Sequence, residues 1–130
     1  MIGYFDGASR GNPGEAGAGA LLLDEGENTI WETARYLGKK TNNEAEYNAA
    51  ILLLTAAKER GVKELKVYGD SKLVVCQLSK QWKINLPHLR ELAKRAWEIS
   101  EGMTVRYEWV PRAKNKRADE LSNEAIDNAK

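Results

Sequence analysis

Cysteine and histidine occur once each in this chain of 130 residues, and this scarcity limits the chemistry available to it. Cys76 has no second cysteine to pair with, which favours a reducing compartment, so we expect a cytoplasmic location. A zinc site built from several cysteines and histidines is excluded by the same count. No apolar run approaches the length of a membrane-spanning helix. Residues 1–6 resemble a strand more than a signal peptide, so we expect no membrane contact.

Neither sign of charge is in excess, since 20 Lys and Arg oppose 19 Asp and Glu. This balance excludes binding of nucleic acid through overall basic charge, so local patches or metal ions would have to provide the attraction. The apolar fraction of 42% and the charged fraction of 30% are typical of globular proteins. The length fits a single domain, residues 1–130, and we expect a monomer.

Hydrophobic periodicity and turn residues predict five strands and four helices. The predicted strands cover residues 1–6, 18–23, 29–36, 65–68 and 103–110. The predicted helices cover residues 41–60, 71–78 and 116–129, and a further helix begins at Pro87. The stretch from Gly7 to Gly17 is rich in glycine and contains Pro13, which predicts a turn-rich connection between the first two strands.

The order of these elements, β-β-β-α-β-α-α-β-α, predicts an α/β fold. Three antiparallel strands come first, and two strands separated by helices should run parallel, which gives a mixed five-stranded sheet with helices on both faces. In such sheets, ligands collect at the carboxyl ends of strands near the point where the strand order reverses.

Two aspartates follow predicted strands directly. Asp6 comes after the first strand, and Asp70 comes after the fourth strand and before a helix. Each has a structural alternative, because aspartate is common at turns and at helix caps. Asp119, near the start of the last helix, also has one, since the helix dipole favours an acidic first turn.

Glu46 is the most informative acidic residue. On a helical wheel, the apolar side chains nearest to it lie within about 60°, and these are Ala49, Ala50, Leu53 and Ala57. Glu46 therefore lies on the stripe that should face the sheet, where a carboxylate is costly unless it is paired or binds a metal ion. A buried ion pair with an arginine or lysine remains the alternative.

Four carboxylates that converge would repel one another, and hard divalent cations relieve that repulsion. We therefore predict a site for Mg²⁺, with Mn²⁺ as a substitute, and two ions in the complex with substrate. Carboxylates around paired metal ions suit phosphodiester hydrolysis. The predicted catalytic and metal-binding residues are Asp6, Glu46, Asp70 and Asp119.

Four short motifs occur in a characteristic order along the chain. They are Tyr-Phe-Asp-Gly-Ala-Ser-Arg-Gly-Asn-Pro-Gly at 4–14, Thr-Asn-Asn-Glu-Ala-Glu-Tyr at 41–47, Gly-Asp-Ser at 69–71 and Arg-Ala-Asp-Glu-Leu at 117–121. With them, the chain resembles type 1 ribonuclease H over its whole length. The resemblance implies the ribonuclease H-like fold and places the four acids of that family on the residues named above. It also implies cleavage of the RNA strand of RNA–DNA hybrids to 5′-phosphate and 3′-hydroxyl ends.

The resemblance further implies residues that bind the hybrid. Those implied to sense RNA 2′-hydroxyls from the minor groove are Ser9, Asn12, Asn42 and Asn43. Ordinary turn and cap chemistry is their alternative. Those implied to hold a phosphate of the DNA strand at a helix N-terminus are Thr41, Lys39 and Asn85.

The chain departs from many family members at two places. The path from Gln81 to Pro87 is too short for the basic helical protrusion of those members, which leaves Trp82, Lys80 and Lys83 as the candidates for the DNA-strand channel. For Trp82, a place in the core is the alternative. Lys80 and Lys83 flank Trp82 in the sequence. Residues 110–117 lack the family's histidine, and we expect Arg112 to lie near the scissile phosphate instead. His88, the one histidine, is expected at the surface.

Three other functions remain open at this point. One is a nuclease of the same fold with another substrate, such as double-stranded RNA or branched DNA. The second is an inactive module that binds hybrids, against which the complete acid set argues. The third is a fragment of a reverse transcriptase polyprotein, whereas a start at Met1 and a helical end at Lys130 favour a separate enzyme.

Overall fold

Five strands and four α-helices follow one another along residues 1–129, which this computed structural model describes; Lys130 lies outside them. The strands are β1 Ile2–Gly11, β2 Gly14–Leu23, β3 Thr29–Lys40, β4 Glu64–Gly69 and β5 Thr104–Trp109. The helices are α1 Asn42–Glu59, α2 Lys72–Leu78, α3 Pro87–Ile99 and α4 Lys116–Asp127, and a 3₁₀ turn, Arg112–Lys114, precedes α4. The predicted order of elements is confirmed.

The strands form one mixed sheet in the order β3-β2-β1-β4-β5. β1 pairs antiparallel with β2, and β2 pairs antiparallel with β3. β4 runs parallel to both β1 and β5. The sheet therefore changes from antiparallel to parallel pairing at β1, which confirms the predicted topology.

Helices cover both faces of the sheet, as predicted. One face carries α1, with α2 and α3 beside it, and its core includes Phe5, Leu22 and Leu53. The other face carries α4, where Leu21 packs with Ala118 and Leu121. Leu21 and Leu22 are neighbours in β2 and point to opposite sides, which is the alternation that a strand covered on both faces requires.

The prediction of a turn-rich connection from Gly7 to Gly17 is wrong. β1 and β2 run through this stretch as paired strands, and only Asn12 and Pro13 lie between them. Gly7 and Gly17 are there because the helices approach closely. A Cβ added to Gly7 would lie 2.3 Å from the backbone of α1, and one added to Gly17 would lie 2.3 Å from a carbonyl oxygen of α4.

Two other boundaries differ from the prediction. β3 continues to Lys40 because β2 begins earlier than predicted. The last residues of β3 pair with these first residues of β2, and Gly14 lies opposite Lys40. The last helix ends at Asp127 instead of Ala129. None of the helices in residues 1–129 is long and apolar enough to cross a bilayer.

Candidate active site

Asp6 lies where strands β1 and β4 separate. β4 pairs with β1 only over Ile2–Phe5, and the last pair joins Phe5 to Gly69. β1 continues beyond this point beside β2, so Asp6 lies inside a strand and not at its end as predicted. Asp70 directly follows the last paired residue of β4. Both aspartates therefore lie at the fork between the two strands.

Glu46 reaches this fork from helix α1, which begins with a capping box. The Thr41 hydroxyl accepts a hydrogen bond from the Glu44 N–H at 3.2 Å, and the Glu44 carboxylate accepts one from the Thr41 N–H at 2.9 Å. Glu46 is 7% exposed, which confirms the predicted burial. None of the ion pairs formed within residues 1–129 includes Glu46, so the alternative of a buried ion pair is wrong.

Three of the four predicted acids form a tight cluster. Asp6, Glu46 and Asp70 each offer an oxygen atom, and these atoms all lie within 4.8 Å of one another. They line an open cleft of about 470 Å³ at the end of the β1–β4 pairing. The elements that bring them together are far apart in the sequence, so the cluster is a product of the fold.

Asp119 lines the same cleft but stands outside the tight cluster. It projects from the first turn of α4, and its side chain is 26% exposed. Arg112 Nη2 lies 3.3 Å from its Oδ1, and Asn123 Nδ2 donates to the same oxygen at 3.4 Å. The structure thus places Arg112 beside one of the predicted acids, at the mouth of the cleft.

Asp6 and Glu46 resist ionisation when no cation is bound. Burial raises the pKa of Asp6, and the charges of Glu46 and Asp70 raise it further. Burial also raises the pKa of Glu46, with Asp70 adding to the effect. In the described part of the chain, no arginine or lysine forms an ion pair with any of these three carboxylates. An oxygen-only donor set with uncompensated negative charge fits a hard divalent cation such as Mg²⁺.

Asn115 also belongs to this site, and the sequence reasoning missed it. It is 1% exposed, and its Nδ2 donates to the Phe5 carbonyl oxygen at 2.9 Å and to Oδ2 of Asp70 at 3.2 Å. On the sequence, an asparagine just before a helix indicates an ordinary cap. Its partners lie 110 and 45 residues away, and no local pattern could have revealed them.

Of the four residues expected to sense 2′-hydroxyls, two line the cleft. These are Ser9 and Asn42. The Ser9 hydroxyl donates to the Lys40 carbonyl oxygen at 2.8 Å, and Oδ1 of Asn12 accepts from the Asn42 N–H at 3.0 Å. Asn43 follows in the first turn of α1 and is half-buried. Asn12 therefore does satisfy an amide at the helix start, which agrees with the cap chemistry named as its alternative.

The residues expected to hold a DNA phosphate come from three elements. Thr41 caps α1, Lys39 is exposed near the end of β3, and Asn85 is exposed between α2 and α3. The hydrogen bond from the Thr41 N–H lowers the pKa of Glu44, and the charge of His88 adds to this effect. His88 is exposed, as expected.

Trp82 is not a core residue, so that alternative is wrong. It lies between α2 and α3 and is 45% exposed. Lys80 and Lys83 line a second cavity with it, of about 470 Å³. An exposed aromatic ring in a cavity that two lysines also line is a surface suited to a nucleic acid strand.

Several known proteins are similar to this chain in fold and in sequence. A family model described as reverse transcriptase-like matches residues 4–125. Ribonuclease HI of Halobacterium salinarum is 45% identical over 130 residues, which cover 97% of this chain and 64% of that protein. The crystal structure of RNase H1 from the same halophilic archaeon superposes with a TM-score of 0.94 at 44% identity, and the match covers 98% of this chain and 97% of that chain.

A second solved structure contains a nucleic acid. The crystal structure of LC11-RNase H1 in complex with an RNA/DNA hybrid superposes with a TM-score of 0.93 at 41% identity, over 98% of this chain and 97% of that chain. The chain spans less than two thirds of the length of the first curated relatives that it matches. The family model, the sequence identity and the superposition together show that the chain belongs to the type 1 ribonuclease H family.

Proposed function

We propose that the chain is a metal-dependent endoribonuclease that hydrolyses the RNA strand of RNA–DNA hybrids and leaves 5′-phosphate and 3′-hydroxyl ends. The observation that carries this proposal is the cluster of Asp6, Glu46 and Asp70, whose oxygen atoms lie within 4.8 Å of one another without a protein cation. Membership of the ribonuclease H family and the hybrid bound by a relative support the substrate class.

The four acids are proposed to hold two Mg²⁺ ions, or Mn²⁺ in their place, when substrate is bound. Asp6, Glu46 and Asp70 are already close enough to share an ion, and Asp119 lines the same cleft. When bound, divalent ions supply Lewis acidity that activates a water molecule and stabilises charge on the phosphate. The carboxylates position the ions, and their burial excludes water that would compete for the same ligand atoms.

The contacts along the cleft are proposed to recognise the RNA strand. Ser9 and Asn42 line the cleft that holds the acids, Asn12 accepts a hydrogen bond from the Asn42 N–H, and Asn43 follows in the first turn of α1. Only the 2′-hydroxyl distinguishes an RNA strand from a DNA strand at the sugar, and an amide can both donate to it and accept from it. This placement supports a preference for cleaving RNA.

The DNA strand is proposed to follow a surface that includes Thr41, Lys39, Asn85 and Trp82. Thr41, Lys39 and Asn85 would hold one phosphate at the N-terminus of α1, where the helix dipole favours an anion. Trp82 would stack against a base or sugar farther along. Arg112, beside Asp119, is proposed to contact the scissile phosphate.

A cleavage assay tests the proposal. Purified protein is incubated with labelled RNA–DNA hybrid, double-stranded RNA and DNA duplex, each with Mg²⁺, with Mn²⁺ and with chelator. We expect cleavage of the hybrid RNA that depends on metal and is lost in Asp70→Asn. Glu120→Gln, an exposed acid next to Asp119 that pairs with Arg117, serves as the matched control and should keep activity.

Other outcomes would point to the alternatives. Binding of the hybrid without cleavage would favour an inactive binding module, and cleavage of double-stranded RNA would widen the substrate class. A monomeric state and a cytoplasmic location remain predictions. Cys76 is buried and free, which agrees with a reducing compartment, and sedimentation of the purified chain would test the oligomeric state.

A further inference from the structure

We propose that Asn115 is a positioning residue, which fixes the carboxylate of Asp70 in the orientation that accepts a divalent cation. The inference rests on the proposed function, because it assigns a task within the same cleft. It concerns a side chain that touches neither the phosphate nor the metal ion and acts through Asp70.

The position of Asn115 at the fork is the first reason. Its Nδ2 donates to the Phe5 carbonyl oxygen at 2.9 Å and to Oδ2 of Asp70 at 3.2 Å. Phe5 is the last residue of β1 that pairs with β4, and Asp70 is the first residue after β4. One amide nitrogen therefore bridges the two strands where they separate, with one hydrogen for each acceptor.

The chemistry of the two partners fixes how the amide is oriented. A carbonyl oxygen and a carboxylate both accept hydrogen bonds, so only the NH₂ end of Asn115 can face them. This neutral donor holds Oδ2 of Asp70 without cancelling its charge, and Oδ1 stays free to bind a cation. An arginine or lysine at the same place would also hold the carboxylate, but its positive charge would compete with the metal ion.

Helix capping does not explain the choice of asparagine. Asn115 is the N-cap of α4, yet its side chain makes no capping hydrogen bond. Its Oδ1 is buried and has no hydrogen-bond partner among the described residues. A buried, unpaired amide oxygen reduces stability, so this side chain is better explained by what its NH₂ group does at Asp70.

The main chain of Asn115 adds a second link. The Asp119 N–H donates to the Asn115 carbonyl oxygen at 3.0 Å in the first turn of α4. The backbone of Asn115 thus helps to place Asp119, while its side chain contacts the carboxylate of Asp70. Trp109 assists from β5, where its Nε1–H donates to the backbone oxygen of Asp70 at 3.1 Å, but it does not reach the carboxylate.

Binding of Mg²⁺ and Mn²⁺ to the protein without nucleic acid, measured by calorimetry, tests the inference. We expect Asn115→Ala to weaken the affinity for the ion by about tenfold or more, as is usual when a residue that orients a metal ligand is removed. Asn115→Ser, which keeps a shorter donor, should lose less, about threefold, and it decides the matter if the alanine variant does not fold. The Mg²⁺ concentration that half-saturates hybrid cleavage should rise in the same order.

Gln77→Ala is the matched control. Gln77 is a buried amide with two hydrogen bonds, from the Tyr47 hydroxyl at 2.6 Å and to the Lys83 carbonyl oxygen at 3.2 Å, and it does not line the cleft. Both variants should lower the free energy of unfolding measured in chelator. Only the Asn115 variants should change the ion affinity, and Gln77→Ala should stay within about twofold of the unaltered protein.

Three outcomes are distinguishable. Unchanged ion affinity in a folded Asn115→Ala or Asn115→Ser protein would overturn the inference, as would an equal loss in Gln77→Ala. A selective loss in the Asn115 variants supports it. If the unaltered protein binds the ions and shows this selective loss but never cleaves a hybrid, the positioning role stands and the proposed function fails.

Discussion

The backbone N–H of Gly7 donates a 2.6 Å hydrogen bond to Oε1 of Glu46. This bond joins the strand that carries Asp6 to the helix that carries Glu46. It forms because position 7 has no side chain, so the backbone of α1 can lie directly on the strand. The geometry of the acid cluster therefore depends on a glycine that takes no part in the chemistry.

Gly7→Ala should separate Glu46 from Asp6. The added Cβ would lie 2.3 Å from the α1 backbone, so the helix must move. We expect a loss of about 2–3 kcal/mol in the free energy of unfolding, as in overpacked sites. We expect at least a hundredfold loss of cleavage, since a shift of about 1 Å can cost that much. Gly26→Ala, in the exposed turn after β2, should change neither the free energy of unfolding nor the cleavage rate by much. Equal losses in the two variants would show that the contact between Gly7 and α1 does not control the site.

Asp6→Asn should stabilise the protein when metal is absent. Because the folded-state pKa of Asp6 is raised, the folded protein binds more protons than the unfolded chain above about pH 4. The free energy of unfolding of the unaltered protein therefore falls as the pH rises through neutrality. The free energy of unfolding of the variant does not fall in this way. At pH 8 we therefore expect the variant to be more stable by about 1–3 kcal/mol.

Denaturant unfolding at several pH values measures this difference. The advantage of Asp6→Asn should shrink as the pH falls towards 4 and below, because the carboxyl group then becomes protonated in the unfolded chain as well. With Mg²⁺ in excess the order should reverse, because only the unaltered protein gains stability from binding the ion. An advantage that stays constant across the pH range would show that charge repulsion is not its cause.

Arg112→Ala should lower kcat by more than about tenfold if the guanidinium contacts the scissile phosphate. Its ion pair with Asp119 is largely exposed, so the stability should change little. Arg117→Ala is the control, because Arg117 lies just beyond the 3₁₀ turn, in the first turn of α4, but pairs with Glu32 at 2.7 Å and does not line the cleft. A fall of tenfold or less in kcat for Arg112→Ala would argue against the proposed contact.

Trp82→Ala should raise KM by about tenfold with little change in kcat, since stacking of an aromatic ring on a base is worth roughly 1–3 kcal/mol. The side chain is 45% exposed, so its removal should leave the fold stable. Leu86→Ala provides a comparison with another exposed apolar residue of the same loop, 51% exposed. Equal effects of the two substitutions on KM would indicate a general apolar surface instead of a stacking contact.

Much of the fold can be predicted from the sequence because the patterns that mark the ends and faces of helices are local. Thr41 and Glu44 mark the start of α1 by a capping box, and the apolar stripe around Glu46 correctly predicts its burial. The failures arise where one residue type has two uses. Gly7 indicates a turn in a single sequence, but here it admits a helix against a strand. Asn115 indicates a cap, but its amide group binds two groups that only the tertiary fold brings near.

Asp6 shows the same limit from another side. Its place in the cluster was predicted correctly, but for the wrong local reason, because β1 does not end there. Asp6 borders the cleft because its neighbour β4 ends at Gly69. The relative length of two paired strands cannot be deduced from either segment alone. That a polar residue follows each apolar segment can be deduced from the sequence.

We propose that carboxylates at the fork between β1 and β4 bind the ions that enable hydrolysis. The most direct test is hybrid cleavage by Glu46→Gln beside Glu44→Gln, two changes of the same type on one helix. Glu44 belongs to the capping box, in which glutamine also functions, so its variant should cleave at nearly the unaltered rate. Glu46→Gln should lose at least a hundredfold in rate and bind Mg²⁺ more weakly. If Glu46→Gln cleaves the hybrid as fast as Glu44→Gln does, the account is wrong.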